Sequence, residues 1–167
     1  MTYDQYGNKL WKNAQGLYHR NPKDGAAIEY ADGGKRWYLN GHLHRPSNEG
    51  PAIEYVNGDK YWYYEGELHR NPNDGAAVEM ANGDKYWYYE GKLHRPPSDG
   101  PAIELSKGHT EYFFQGKSLT KEEVEHIRHF APDESLGVCI HELISKDSEK
   151  RMIASIVTFK ATEIVDG

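Results

Sequence analysis

Short runs of aromatic and β-branched residues recur along most of the chain, each bounded by glycine, asparagine or aspartate. The runs "PAIEYV" and "DKYWYY" are separated by Asn57-Gly58, which favours a tight hairpin turn with positive φ at both central positions. Asn82-Gly83 repeats this signal, and Asp32-Gly33 is close to it. The longer connection "EGELHRNPNDG" carries proline and glycine, which predicts a surface loop. Each unit is therefore predicted to form two antiparallel strands.

The pattern of these units has a fixed period. Glycines at positions 16, 41, 66, 91 and 116 are spaced 25 residues apart. Four His-Arg pairs and four strand glutamates follow the same spacing: His19-Arg20, His44-Arg45, His69-Arg70, His94-Arg95, Glu29, Glu54, Glu79 and Glu104. Such a repeat predicts a mainly β protein, an elongated meandering antiparallel sheet of about four 25-residue hairpin repeats over residues 1–118. The first and last units depart from the pattern, as units that cap an array do.

The last part of the chain, residues 119–167, lacks the repeat and is predicted as a small C-terminal α+β appendage. Thr120 and Glu123 have the spacing of a capping box, so a helix is expected to start there and to stop before Pro132. Three apolar residues would share one face of this helix: Val124, Ile127 and Ala131. The segments "GVCIHELIS" and "RMIASIVTFKATEIV" predict a β-hairpin, with a helix over residues 140–145 as the alternative.

Charge and composition narrow the classes of partner. The net charge is −6, and neither part is basic, with 14 basic against 16 acidic residues up to Ser118 and 6 against 10 beyond it. This balance argues against direct binding of nucleic acid or of an anionic membrane. Cys139 is the only cysteine, so no intramolecular disulfide can form. No signal peptide or membrane-spanning run is evident, and a cytoplasmic location is expected.

The stretch "WYLNGHLHR…EGPAIEYVNGDKYWY" resembles MORN repeats, in the divergent variant of bacterial antitoxin-like and phage-encoded proteins. The resemblance covers residues 7–119 and rests on the aromatic strand, the turn Asn40-Gly41, the His of "LHR", the Gly of "DGP" and the closing "Y-x-N-G". It departs from the family in having His-Arg-x-x-x-Asp/Glu-Gly in place of His-Gly-x-Gly, and in its longer period. The resemblance implies an elongated, twisted sheet that contacts proteins or sometimes lipids, with no shared catalytic chemistry.

The repeated histidines and arginines are expected to have structural roles. Two strands per repeat place equivalent atoms roughly 10 Å apart, too far for neighbouring histidines to share one metal ion. Each histidine is expected to hydrogen-bond loop backbone. Each arginine is expected to pair with the acid of its own loop: Asp24, Glu49, Asp74 or Asp99. The sequence predicts no catalytic residue, no metal site and no cofactor.

The tail carries the remaining chemical candidates. His126 and His129, with Glu122, lie on adjacent helical turns and could chelate a metal, although a solvated helix face explains them more simply. Cys139 and His141 form a possible thiol–imidazole pair, but a spacing of two also places them on one face of a strand. An enzyme built in this tail would have few residues for a catalytic domain.

The aromatic residues indicate a binding surface. Side chains alternate across a strand, so Trp62 and Tyr64 should point to one side, and Tyr61 and Tyr63 to the other. Both faces would then be aromatic, and a single sheet would expose an aromatic patch several repeats long. The alternative is that tyrosines cover neighbouring tryptophans and turn their hydroxyls outward.

The leading hypothesis is a non-enzymatic protein-interaction module that binds a bacterial effector and inhibits it by occluding its surface. The effector would be a toxin or an immune or anti-phage nuclease complex. The bacterial or phage setting is what the resemblance implies. The alternatives are a sponge for a nucleotide signal, with arginines on phosphate and aromatic rings on the base, and a scaffold or membrane-tethering repeat. A homodimer through the C-terminal region is a further expectation. The partner-binding residues are predicted to be Trp37, Trp62, Trp87, Tyr38, Tyr63, Tyr64, Tyr88, Tyr89, His44, Arg45, His69, Arg70, His94, Arg95, Glu54 and Glu79.

Overall fold

A computed structural model describes residues 1–130 of the protein, and residues 131–167 lie outside that description. The predicted hairpin over residues 137–165 and Ala131 of the helix therefore fall outside the described residues. Within residues 1–130 the strands are β1 (Thr2–Tyr3), β2 (Lys9–Leu10), β3 (Ile28–Glu29), β4 (Lys35–Arg36), β5 (Tyr38–Leu39), β6 (His42–Leu43), β7 (Ile53–Glu54), β8 (Lys60–Tyr61), β9 (Tyr63–Tyr64), β10 (Glu67–Leu68), β11 (Val78–Glu79), β12 (Lys85–Tyr86), β13 (Tyr88–Tyr89), β14 (Lys92–Leu93), β15 (Ile103–Glu104), β16 (Thr110–Phe114) and β17 (Lys117–Leu119). Helix α1 (Lys121–Phe130) follows them.

Eleven of these strands form one antiparallel sheet, in the order β1-β2-β3-β4-β7-β8-β11-β12-β15-β16-β17. Each repeat adds two strands to it, so the predicted mainly β, meandering array is confirmed. Along the sheet, strand lysines and glutamates stand opposite one another, as in the pairs Glu29↔Lys35, Lys35↔Glu54 and Glu54↔Lys60. Opposite charges in directly opposed positions favour this register over a slipped one.

The predicted surface loop also contains short regular elements. After the sheet strand, the chain continues into a small hairpin, formed by β5/β6, β9/β10 and β13/β14 in successive repeats. A 3₁₀ helix follows at Pro22–Asp24, Ser47–Glu49 and Pro72–Asp74. The segment lies at the surface as predicted, but its short hairpin and 3₁₀ helix were not predicted, because proline and glycine are typical of loops and here mark the ends of short elements.

The turn types are distributed differently from the prediction. The hairpin at Asn57-Gly58 is present, but only Gly58 has positive φ (98°), and the Asn57 side chain accepts a hydrogen bond from the Asp59 amide at 3.1 Å. The turn with positive φ at both central residues is the next one, Glu65 (50°) and Gly66 (89°), between β9 and β10. Asn40-Gly41 has the same conformation, with φ of 50° and 86°. A two-residue turn of this kind matches the right-handed twist of the strands it joins.

The described core consists of small clusters along the array. One cluster consists of Trp87 with Ala76 and Ala102, alanines that come just before the central strands β11 and β15. A second cluster joins the sheet to helix α1 through Phe114, Leu119, Val124 and Ile127. The shared face of Val124 and Ile127 was therefore predicted correctly.

The capping box at the start of α1 is also confirmed. The Thr120 amide donates to Glu123 Oε2 at 2.7 Å, and the Glu123 amide donates to Thr120 Oγ1 at 3.2 Å. No helix within residues 1–130 is both long and apolar enough to cross a membrane.

Candidate functional site

The repeated tryptophans are buried beneath arginines. Trp37 and Trp62 are each 5% exposed, and Trp87 is 6% exposed. The guanidinium carbon of Arg45 lies 3.9 Å from the ring centroid of Trp37, and the same contact is made at 4.0 Å by Arg70 on Trp62 and by Arg95 on Trp87. The expected exposed patch therefore does not include the tryptophans. Arginine stacking on an indole face is favourable, and here the guanidinium covers one face of each ring.

Each arginine is also fixed at its other end. Arg70 Nη1 donates to the Ala76 carbonyl at 2.9 Å and to Glu79 Oε1 at 2.8 Å. Equivalent pairs join Arg45 to Glu54 and Arg95 to Glu104. The expected partners Asp24, Glu49, Asp74 and Asp99 are therefore wrong: the guanidinium extends over the tryptophan to the strand glutamate of its own repeat.

This arrangement bears on two of the predictions. Glu54 and Glu79 were predicted to bind a partner, and they hold the arginines. Arg45, Arg70 and Arg95 are engaged by an indole ring, a carbonyl and a carboxylate at once. Engagement of this kind weighs against their use as phosphate ligands, on which the nucleotide hypothesis depends.

The repeated histidines hydrogen-bond backbone, as predicted, but in the turn of the following repeat. His44 Nδ1 accepts from the Glu65 amide at 3.2 Å, and His69 Nδ1 accepts from the Glu90 amide at 3.2 Å. Both amides belong to turn residues with positive φ. Because Nδ1 accepts, the neutral ring carries its proton on Nε2. Burial lowers the pKa of His94, although nearby Glu90 acts in the opposite direction.

Histidines and aromatic residues alternate in a continuous row, which we call the ring ladder. Its ring centroids are separated by 4.5 to 5.9 Å. Tyr64 and Tyr89 are its exposed members, at 45% and 38%, whereas His44 is buried. The members in order are His44, Tyr64, His69, Tyr89, His94 and Phe114.

A second group of aromatic residues lies on the other side of the central strands, and we call it the tyrosine face. Tyr61 contacts Tyr55 edge-on at 5.7 Å, and Arg36 lies over Tyr30 and Tyr55. Most of these residues are half-buried, and desolvation raises the pKa of Tyr30, Tyr61, Tyr63 and Tyr88. The tyrosine face consists of Tyr30, Arg36, Tyr38, Tyr55, Tyr61, Tyr63, Tyr86 and Tyr88.

Beside the ring ladder lies a groove of about 630 Å³, which we call the acidic groove. Its polar lining includes Glu65, Glu67 and Glu90, and Tyr64 contributes an exposed ring. Arg45 is the one arginine or lysine that residues 1–130 contribute to the lining, and it is paired with Glu54. The groove therefore has an excess of negative charge beside an aromatic surface.

The sequence prediction missed the three glutamates of this groove. At the positions one repeat away, residues 40, 42, 92 and 115 are Asn, His, Lys and Gln, so the repeat itself does not require an acid. The signal that could have revealed these glutamates was their departure from the residues that other repeats carry at the same positions.

Of the tail candidates, His126 and His129 do not line this groove. His126 and His129 lie on α1, while Cys139 and His141 are outside the described residues. Residues 1–130 contain no group of three histidine, cysteine or acidic side chains arranged to hold a metal ion.

No family model, curated protein or solved structure matches this chain. The likeness to MORN repeats therefore rests on the sequence motifs alone.

Proposed function

We propose that this protein is a non-enzymatic interaction module that binds another protein through the acidic groove and the exposed tyrosines of the ring ladder. The observation that carries the proposal is the groove itself, in which Tyr64 lies beside Glu65, Glu67 and Glu90. An exposed tyrosine buries a large area at low entropic cost and keeps a polar tip, which is why tyrosine is enriched at interfaces.

The architecture supports binding rather than turnover. The histidines of the ring ladder hold turns, and the repeated arginines and strand glutamates hold each other. These groups support a rigid surface, and a rigid surface loses little entropy when it binds.

The partner's binding surface is basic. Lysine or arginine side chains would meet the three carboxylates, and one of them would lie over the Tyr64 ring. A bacterial effector with a basic nucleic-acid-binding surface has this chemistry, and occupation of that surface would inhibit it. This choice of partner rests on the sequence resemblance together with the charge of the groove.

The experiment replaces the groove residues with the residues that other repeats carry at the same positions. The groove variant is Glu65→Asn, Glu67→Lys and Glu90→Gln, which copies Asn40, Lys92 and Gln115, so the fold should tolerate it. A control variant with the same change in net charge is Asp24→Asn, Asp74→Asn and Glu122→Lys, at exposed positions outside the groove.

Each protein is immobilised and exposed to bacterial lysate, and the retained proteins are identified and compared. We expect a basic protein that is retained by the wild type and the control variant and lost from the groove variant. Retention of the same protein by all three would reject the groove as the binding site. A wild type that retains nothing beyond background would reject the interaction role.

A further inference from the structure

The tyrosine face contains a row of directly opposed residues, and the segment of this row between Arg36 and Glu111 is nearly the same from either end. Strand pairing connects Arg36 to Ile53, Ile53 to Tyr61, and Tyr61 to Val78. From Val78 the row continues to Tyr86, Ile103 and Glu111. Directly opposed residues project from the same face of a sheet. The segment of the row from Arg36 to Glu111 is therefore symmetric about Val78 in residue type, except that it has a cation at one end and an anion at the other. Beyond Arg36 the row continues to Ile28, Leu10 and Thr2.

The turns beside this row also carry opposite charges at their two ends. Residues 32, 57, 82 and 107 occupy equivalent turn positions, and they are Asp, Asn, Asn and Lys. The charge again reverses between the two ends, and with the opposite sign to that of the row. Two independent columns of this face thus carry complementary end charges.

From these two columns we propose that two copies of the chain associate through their tyrosine faces. The two-fold axis passes through Val78, parallel to the strands, and reverses the order of the repeats in the second copy. Arg36 then meets Glu111 of the partner subunit, and Tyr61 meets Tyr86 of the partner subunit. Asp32 comes within one strand spacing of Lys107 of the partner subunit, about 5 Å, which a lysine side chain can span. Each contact occurs twice, as an isologous interface requires.

The adjacent column of the face agrees with this pairing. At the next position, residues 55, 80 and 105 are Tyr, Met and Leu. Reversal places Tyr55 against Leu105 of the partner subunit and leaves Met80 on the axis, where a flexible thioether adapts to its own copy. Asp59 and Asp84 are turned along the sheet, where they accept from the Ala81 and Ser106 amides at 2.7 Å.

The opposite face of the sheet is already occupied at this end of the array. Helix α1 packs on Tyr112 and Phe114, which alternate with Glu111 along β16. Because successive side chains of a strand point to opposite faces, the helix lies against the face that Glu111 does not share. The tyrosine face is therefore left uncovered by α1.

The size and twist of the sheet bear on the strength of the contact. Six strand spacings separate Arg36 from Glu111, about 29 Å. Twisted sheets contact best near the axis and separate towards the ends, where Arg36 and Lys107 have the length to bridge the gap. A surface of this size is at the lower end of stable interfaces, so we expect association at roughly micromolar concentration.

The test uses charge reversal in the full chain and sedimentation velocity over a concentration series. Arg36→Glu alone and Glu111→Arg alone each place like charges opposite one another at both ends of the dimer. Each should weaken association by about ten-fold or more. An equal mixture of the two variants should recover the dimer, because both end contacts of the mixed pair are again between opposite charges. Recovery in the mixture is specific to an arrangement that brings residues 36 and 111 together.

Two controls separate this result from other effects. Lys23→Glu makes the same charge change at an exposed 3₁₀ residue and should leave association unchanged. Circular dichroism would report any effect of Arg36→Glu on folding. In that case Lys107→Asp, which alters an exposed turn residue, still tests the proposal and should weaken the dimer. A wild type that stays monomeric, single variants that dimerise like the wild type, or a mixture that stays monomeric would each overturn the proposal. The groove variant above leaves the tyrosine face intact, so loss of the partner and loss of the dimer are distinguishable.

Discussion

At the scale of the residue, the glycine that follows each 3₁₀ helix or turn is fixed by the arginine of its own repeat. Gly75 has φ of 125°, and a Cβ there would lie 2.9 Å from Arg70 Nη1. The missing side chain lets the guanidinium lie between the backbone and Trp62. Gly25, Gly50 and Gly100 repeat this close approach. The repeat therefore requires glycine here for space as well as for conformation.

Replacement of Gly75 with alanine should destabilise the protein by about 1–3 kcal/mol, from backbone strain together with displacement of Arg70. Gly108→Ala is the matched control, since its φ is also positive (89°) but none of the described residues beyond its chain neighbours lies within 4 Å of the added Cβ. The control should lose roughly 1 kcal/mol. Urea denaturation of both variants measures the difference. Equal losses would show that the contact with Arg70 has no energetic consequence.

His94 of the ring ladder predicts a loss of stability in mild acid. His94 Nδ1 accepts from the Gln115 amide at 3.1 Å, and burial lowers the pKa of the ring. An unfolded histidine, with a pKa of about 6.5, takes up a proton that the folded one resists. The contribution is therefore complete above about pH 6.5 and declines as the pH falls below it, by at most about 1.4 kcal/mol per pH unit.

His94→Asn tests this origin, because asparagine keeps an acceptor near the position of Nδ1 and cannot titrate. Between pH 7 and pH 5, the free energy of unfolding should fall less steeply in the variant than in the wild type. Urea titrations at several pH values give the two slopes. Identical slopes would assign the acid sensitivity to other groups.

At the scale of the element, the two-residue hairpin turn places a non-glycine residue of each repeat in the left-handed backbone region. Gln115 has φ of 48°, a conformation in which asparagine is much better tolerated than glutamine. Asn40 already occupies the equivalent position in an earlier repeat. The histidine of the preceding repeat accepts a hydrogen bond from the backbone amide of this turn residue. This bond explains how glutamate and glutamine are held in that conformation.

Gln115→Asn should therefore stabilise the protein by about 0.5–1 kcal/mol. The reverse change, Asn40→Gln, should destabilise it by a similar amount. Thermal unfolding of both variants measures the pair of effects. A loss of stability in Gln115→Asn would mean that the glutamine side chain makes a contact that outweighs the backbone preference.

The sequence predicted the repeat, its strands and the helix cap, because each depends on local patterns such as the 25-residue spacing and the Thr120–Glu123 pair. It did not predict the partners of the arginines, because closeness along the chain favoured Asp74 for Arg70, whereas stacking on Trp62 directs the guanidinium to Glu79. Burial of the tryptophans was held open as an alternative with tyrosines as the cover, and the arginine cover was missed because it depends on contacts brought together by folding. The acidic groove required the register of adjacent repeats, which a single repeat does not contain.

At the scale of the whole molecule, stability is distributed along the array, because the central strands pair only with their neighbours in the sheet. Each repeat supplies the histidine that holds the next turn, and each lysine of the central strands faces a glutamate on the adjacent strand. The interface between two repeats should therefore be the same wherever it occurs.

Deletion of residues 51–75 tests this equivalence. The deletion joins Gly50 to Ala76, the same junction as Gly25-Ala26 in the intact chain, so every column of the sheet is restored. The shortened protein should keep its β circular dichroism and unfold cooperatively at a lower urea concentration, since one set of repeat contacts is gone.

Deletion of residues 51–74 is the matched control. It leaves one residue too many, which places Ala77 where Val78 belongs and Val78 where Glu79 belongs, and so exchanges the two faces of the strand. The control should lose far more stability than the complete-repeat deletion, although it removes one residue fewer. Equal stability of the two would contradict a register defined by the 25-residue period, and would require contacts between distant repeats to hold the array together.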